Sequence, residues 1–423
     1  MYKLKDQALS TYISEKANRK WYIFFYISLF ALTIGIVKLM FDYYYGIGTW
    51  GNNNTLKWAF TINHFVFFQG LIYSSLIISA IYFLINRRER NLINNIAESM
   101  AIIALICTLI YPILNYLRFL FVSLSLSYLH SNDLFSIFKN VSLYSVYFIV
   151  VLVIWYVSMI PSFAKIRDNQ VSRFKQRFYN VLSIGWKSDS VKYLRWYKIV
   201  SIIIYLMVIA YFIYNLIGLN KLSDSINNIM ISFFYSSFFL LILIICIYKI
   251  YDKNVSKTHI ETASKITAII GILVGIAFIV NVILTFLDMK GSEFQRFVYN
   301  TYHTKYWVNF GLIIFTVVLA QLLWFKVIAN NLIITIIIAL IIISLLWVNG
   351  LLVTISLLNR DYVPSSWSYF KFSISDLAYP IGLFGLFFTL FFLLIRFRTI
   401  IFLVLLSIFI TLPFLFYVVK LFV

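Results

Sequence analysis

The chain has 423 residues, of which 62% are hydrophobic, 20% aromatic and only 12% charged, about half the charged share of an average soluble domain. That excludes a water-soluble globule. A spanning helix takes about 20 apolar residues, so ten or eleven helices leave no room for a large extramembrane domain.

Residues 1–20 are polar and basic and lead into a run long enough to span. This is the pattern of a retained first helix, not a cleaved signal peptide. Apolar runs follow at 21–41, 58–85, 96–122, 142–163, 197–217, 231–251, 266–287, 307–325, 332–358 and 377–395, and they predict ten spanning helices. An eleventh run, 400–419, is long enough to cross but holds Pro413; it crosses or lies along the interface. Trp21, Trp58, Trp196, Trp307 and Trp324 fall at run ends, where an indole prefers the headgroup region. The expected organisation is a segment 1–20, a membrane domain 21–398 and a hydrophobic C-terminal segment 399–423, all-α and polytopic.

The 35 Lys and Arg against 15 Asp and Glu give a net charge of +20, which in a soluble protein would suggest nucleic acid. Its distribution gives a different answer. The segments 1–20, 86–95, 164–195, 249–265, 326–331 and 396–398 hold 23 Lys and Arg, whereas the alternate loops hold 8. By the positive-inside rule the basic set is cytoplasmic, so the N-terminus faces the cytoplasm. No nucleic-acid partner is expected.

Cys107 and Cys246 stand singly in apolar runs, so no disulfide framework, metal knuckle or cluster motif can be written. Of four histidines only His64 falls within a predicted span; His130 and His303 belong to outer loops and His259 to an inner one. Bis-histidine haem in the bilayer and a loop metal site are therefore not expected. Redox chemistry in this chain would use a mobile carrier, with the metals held by partners.

Ionisable groups in hydrocarbon are costly and each one calls for a functional hypothesis. His64, Gln69 and Tyr73 lie on the second run, with His64 toward the outer leaflet. Glu98 lies near the cytoplasmic start of the third run, and Asn115 and Arg118 near its outer end, three apart on one face. Plainer readings stand beside these. His64 is a hydrogen-bonded packing residue or a proton-handling group; Arg118 snorkels to headgroups or serves a buried site; Glu98 pairs with Arg87, Arg88 and Arg90 or opens a proton path. Asn215, Asn281, Gln321 and Asn349 are expected to make interhelical hydrogen bonds, and Lys38 to snorkel outward.

The segments WAFTINHFVFFQGLIYSSLIISAIYFL, RRERNLINNIAESMAIIALICTLIYPILNYLRF, WYVSMIPSFAKIRDN, RFYNVLSIGW, QLLWFK and LLNRDYVPSSWSYFKFSISDLAYPIGLFGLFFTLFFLLIRF resemble, in order and spacing from about residue 45 to 398, the polysulfide-reductase-type membrane subunits of the NrfD/PsrC family. The resemblance is strongest to the quinol-interacting membrane subunit of alternative complex III. It implies ten helices arranged as two four-helix bundles with two flanking helices and no cofactor bound by this chain. It also implies menaquinol oxidised toward the outer face, with protons released outside. The implied partners are an iron–sulfur, molybdopterin-enzyme-like subunit on that face, multihaem cytochrome c subunits and a second NrfD-like membrane subunit.

The resemblance also assigns residues. A family histidine in a GIGHAGTLISAI-like stretch falls on Tyr73. Another, in FPLIHLGRPW, falls on Asn115, with Arg118 kept, and a third falls on Asn215. Tyr, with a reference pKa near 10, and Asn, with none, are poor bases at neutral pH. His64, nine residues from Tyr73, lies about 180° away around the helix and cannot replace the lost imidazole in place. Glu98 matches a family carboxylate expected on a proton path, and Arg360 and Asp361 match an outer-face motif read as a docking surface. Two alternatives stay open: a membrane anchor with a degenerate quinol site, favoured by the missing histidines, and a secondary transporter, for which the expected repeats with broken helices are absent from the sequence.

Overall fold

A computed structural model describes residues 18–45, 58–85, 93–108, 110, 151–157, 159–160, 163–164, 166–169, 172–184, 195–196, 199, 202–203, 206, 222–250, 257–287, 307–358, 377–397, 401 and 404. They are almost wholly helical, and no strand occurs among them. The elements are α1 (Arg19–Tyr45), α2 (Trp58–Ile85), α3 (Ile93–Thr108), α4 (Arg173–Leu182), α5 (Leu222–Ile250), α6 (Lys257–Leu287), α7 (Trp307–Gln321), a 3-10 turn (Leu322–Trp324), α8 (Lys326–Asn330), α9 (Leu332–Leu358) and α10 (Ala378–Phe397). A short helical stretch covers 151–157.

Six of these, α1, α2, α5, α6, α9 and α10, are long and apolar enough to cross a membrane, and α3 and α7 are shorter apolar helices. The protein is therefore an α-helical, multi-pass membrane protein. Two observations on packing agree. α5 is buried on all sides from Phe234 to Ile247, as suits a helix apolar all round. α1 and α6, also long and apolar, leave Ile23, Ile27, Phe30, Val37, Ile272, Ile276 and Ile283 exposed. In water such faces would be a large aggregation hazard; against lipid tails they are matched by their solvent.

α5 is the hub, packing against α2, α6 and α9, while α7 lies against α6 and α9 and α2 against α9. α2 and α5 run parallel: Ser74 meets Ser236, and the Gly70 backbone lies against Ser232 and Tyr235, whose hydroxyl donates to the Phe67 carbonyl at 2.8 Å. Gly70 is required there, because a Cβ would overlap the Tyr235 hydroxyl. Small and hydroxyl residues at the contact let backbones approach where no hydrophobic effect drives association. α2 and α3 form a hairpin in which Ser79, near the end of one, donates to Glu98, near the start of the other, at 3.3 Å.

α1 and α10 are antiparallel in one continuous register. Arg396 lies over the Trp21 ring at 5.1 Å, Phe24 stacks on Phe392, Thr389 donates to the Ser28 hydroxyl at 3.1 Å, and Gly35 and Gly382 bring the two backbones into direct contact. Trp21 lies at a helix end as expected, buried under Arg396, whose guanidinium makes a cation–π contact with its ring. Lys38 is buried, with its ammonium 5.8 Å from the Phe41 ring, toward the end of α1.

The run predicted at 307–325 ends in more detail than hydropathy can show. Gln321 donates to the Ala268 carbonyl of α6 at 3.3 Å, which is the expected interhelical bond, and accepts from Trp324 Nε1 at 2.9 Å. Asn331 then caps α9 by accepting from the Ile333 amide at 3.2 Å. Asn349 departs from expectation: it is buried, and its Oδ1 meets no hydrogen-bond partner among the described residues.

Candidate functional site

The second turn of α2 carries Asn63 and His64 into the contact with α9 and α10. Asn63 Nδ2 donates to the Trp347 carbonyl at 3.1 Å, and its side chain occupies the space left by Gly350. Trp347 Nε1 in turn donates to His64 Nδ1 at 3.2 Å, with ring centroids 5.2 Å apart. On the other side the Tyr379 ring of α10 stacks at 6.4 Å and 24°. His64 is 4% exposed, and its Nε2 has no hydrogen-bond partner among the described residues.

This geometry fixes the chemistry of the imidazole. With Nδ1 accepting from Trp347, the neutral ring carries its proton on Nε2. The side chain therefore presents a buried N–H donor. An unmet buried donor costs about 1–3 kcal/mol, so the position favours a ligand bearing an oxygen acceptor. Next to it along α2 begins an aromatic layer. Phe67 stacks on Tyr235 at 4.2 Å and 18°, Phe68 lies 6.2 Å from Phe387, and Phe239 lies 5.1 Å from Phe387. These rings are buried and pack on one another, so His64 borders a closed apolar core.

The other sequence-derived candidates divide clearly. Tyr73 is half-buried, and its hydroxyl accepts from Gln69 Nε2 of the same helix at 3.1 Å. It does not join His64. Glu98 is 1% exposed and accepts from Ser79, in a polar patch at the far end of α2 with the buried Asn94 nearby on its own helix. Asn115, Arg118, Asn215, Arg360 and Asp361 lie outside the described residues, as do Arg87, Arg88 and Arg90. Cys107 and Cys246 are free and buried, and no group of three or more His, Cys, Asp or Glu that could hold a metal occurs among the described residues.

Sequence reasoning missed Asn63, Trp347 and Tyr379. Trp347 lies inside an apolar run, whereas only the tryptophans at run ends drew notice. An indole N–H in that position needs a partner, and that signal pointed to a nearby polar group without naming it. Set against models of known protein families and against curated proteins, the sequence matches none.

Proposed function

We propose that this chain is the membrane subunit of a respiratory quinol oxidoreductase of the alternative complex III type. It spans a bacterial inner membrane ten times, with its N-terminus in the cytoplasm and its helices grouped as two four-helix bundles and a flanking pair. Helix directions support the count. α3 and α5 run opposite ways, so residues 109–221 cross an even number of times, and the apolar runs 142–163 and 197–217 supply two crossings. In this orientation His64, the end of α9 and the start of α10 lie toward the outer face.

The observation that carries the reading is the buried His64 N–H beside an aromatic layer. It binds a menaquinol or menaquinone oxygen, while Trp347 holds the ring in the donating tautomer. His64 is thus a binding donor, and the protons released on quinol oxidation leave by other groups. Arg118 is a second donor on the outer side. Tyr73, Asn115 and Asn215 line the helices between them, and Glu98 serves the cytoplasmic side. Electrons pass to iron–sulfur and haem c centres in partner subunits, which dock where Arg360 and Asp361 lie.

The anchor reading has one specific observation in its favour: Tyr73, at the position the resemblance gives to a histidine, accepts a hydrogen bond from Gln69 of its own helix. Purification of the tagged chain from its native membrane tests the proposal. Copurified haem c and iron–sulfur signals that are reduced by menaquinol, with impaired turnover in Arg118→Leu, support it. Activity of the lone chain in proteoliposomes as a transporter, or unchanged turnover and inhibitor binding in Arg118→Leu, argues against it.

A further inference from the structure

α4 is unlike every other helix among the described residues. Its sequence, RFKQRFYNVL, places Phe174, Phe178 and Val181 within about 60° of one another at 100° per residue, and these side chains are 80%, 43% and 76% exposed. Arg177 and Arg173 flank this stripe on one side and Lys175 on the other. None of the three forms an ion pair among the described residues, because the nearby Asp168 is taken by Arg167 at 2.8 Å. Gln176 and Asn180 lie on the opposite face, where Asn180 accepts from Arg167 Nη1 at 3.1 Å.

A third face ties the helix to the membrane domain. Tyr179 stacks on the buried Phe163 at 6.3 Å, and the Tyr156 hydroxyl donates to the Leu182 carbonyl at 2.7 Å. One side of α4 therefore meets protein and one side is polar, while the third presents exposed phenyl rings between cations that form no ion pair among the described residues. Water is a poor solvent for the third side. A bilayer surface bearing acidic phospholipids satisfies both of its components: the rings enter the acyl boundary and the cations meet phosphates.

We infer that α4 is an interfacial helix that lies on acidic phospholipid headgroups and ties the 164–195 segment to the membrane surface. The apolar stripe sets its depth, and Arg173, Lys175 and Arg177 make its seating depend on lipid charge. Among the described residues Asp168 is the carboxylate nearest in sequence, and it is engaged by Arg167.

The test places a nitroxide on the full chain at Phe174→Cys or Gln176→Cys. The native thiols are buried, so label goes to the introduced position. The chain is reconstituted in phosphatidylcholine vesicles with rising phosphatidylglycerol, and collision with oxygen and with a water-soluble nickel chelate is measured. The expected result is a 174 label rich in oxygen contact and shielded from nickel, with the reverse at 176, and with a contrast that grows with phosphatidylglycerol. Replacing Arg173, Lys175 and Arg177 by Gln lowers the apparent affinity for the acidic surface about a hundredfold, at roughly fivefold per charge. Unchanged circular dichroism verifies the fold of each variant. Nickel access at 174 in every vesicle overturns the inference, as does equal shielding in pure phosphatidylcholine. A 174 label closed to both reagents also overturns it, because a protein partner then covers the stripe.

Discussion

The bond from Trp347 to His64 is where the proposed site is most exposed to test. Trp347→Phe removes a 3.2 Å interhelical hydrogen bond between two buried rings and leaves His64 Nδ1 unmet. In a bilayer such a bond is worth about 0.6 kcal/mol on average and up to about 1.7, because the helices of the unfolded reference also find partners. Trimming indole to phenyl in a packed core adds roughly 1–2 kcal/mol, so a total loss of about 2–3 kcal/mol is expected. The Asn63 bond goes to the Trp347 backbone and survives. Packing and hydrogen bonding are separated by a double-mutant cycle with His64→Phe, read by reversible unfolding in mixed micelles. The coupling term is expected at about 0.6–1.7 kcal/mol. A coupling within about 0.3 kcal/mol of zero would mean that the two rings merely touch, and the tautomer argument would fail with it.

Further outcomes follow from the helix contacts. Gly35→Val drives a side chain into the Gly382 backbone and is expected to cost several kcal/mol, whereas Gly311→Ala, whose new Cβ meets nothing within 4 Å, gains up to about 1 kcal/mol of helix propensity; thermal unfolding in detergent ranks the pair. Gly70→Ala collides with the Tyr235 hydroxyl and is expected to lose about 1–3 kcal/mol, part of which Tyr235→Phe restores despite giving up the bond to the Phe67 carbonyl. Cys107 and Cys246 are buried on α3 and α5, so a membrane-permeant maleimide is expected to label neither until the chain is unfolded in SDS, as mass spectrometry would record.

Hydropathy located the six long apolar helices because it measures residence in hydrocarbon. The predicted runs 58–85 and 332–358 coincide with α2 and α9. It placed the starts of α5 and α6 about nine residues late, because LSDSINN and KTHIETASK are polar yet helical: those helices continue past the apolar stretch. Helices apolar on nearly every side give no periodicity from which to read the buried face, so nothing local distinguished the central α5 from the exposed α6. Contacts such as Gly35 with Gly382, or His64 with Trp347 across 283 residues, depend on how helices assemble and leave no mark at either position alone. His64 was legible as an oddity, a lone imidazole in a span. Its role as donor was not, because the tautomer is set by a partner on another helix. α4 escaped notice for a related reason: with its apolar stripe broken by three cations, ten residues too short to span read as a basic loop.

The central claim is that a quinone oxygen meets His64 between α2, α9 and α10. A photoreactive menaquinone analogue, irradiated in the complex purified with its partners, tests it most directly. The account predicts crosslinked peptides around His64 together with Trp347 or Tyr379. Excess menaquinone competes the labelling away, and His64→Phe lowers it about tenfold, the value of one hydrogen bond of roughly 1.4 kcal/mol. Labelling confined to other helices, or absent from this chain, in a complex that still oxidises menaquinol would contradict it.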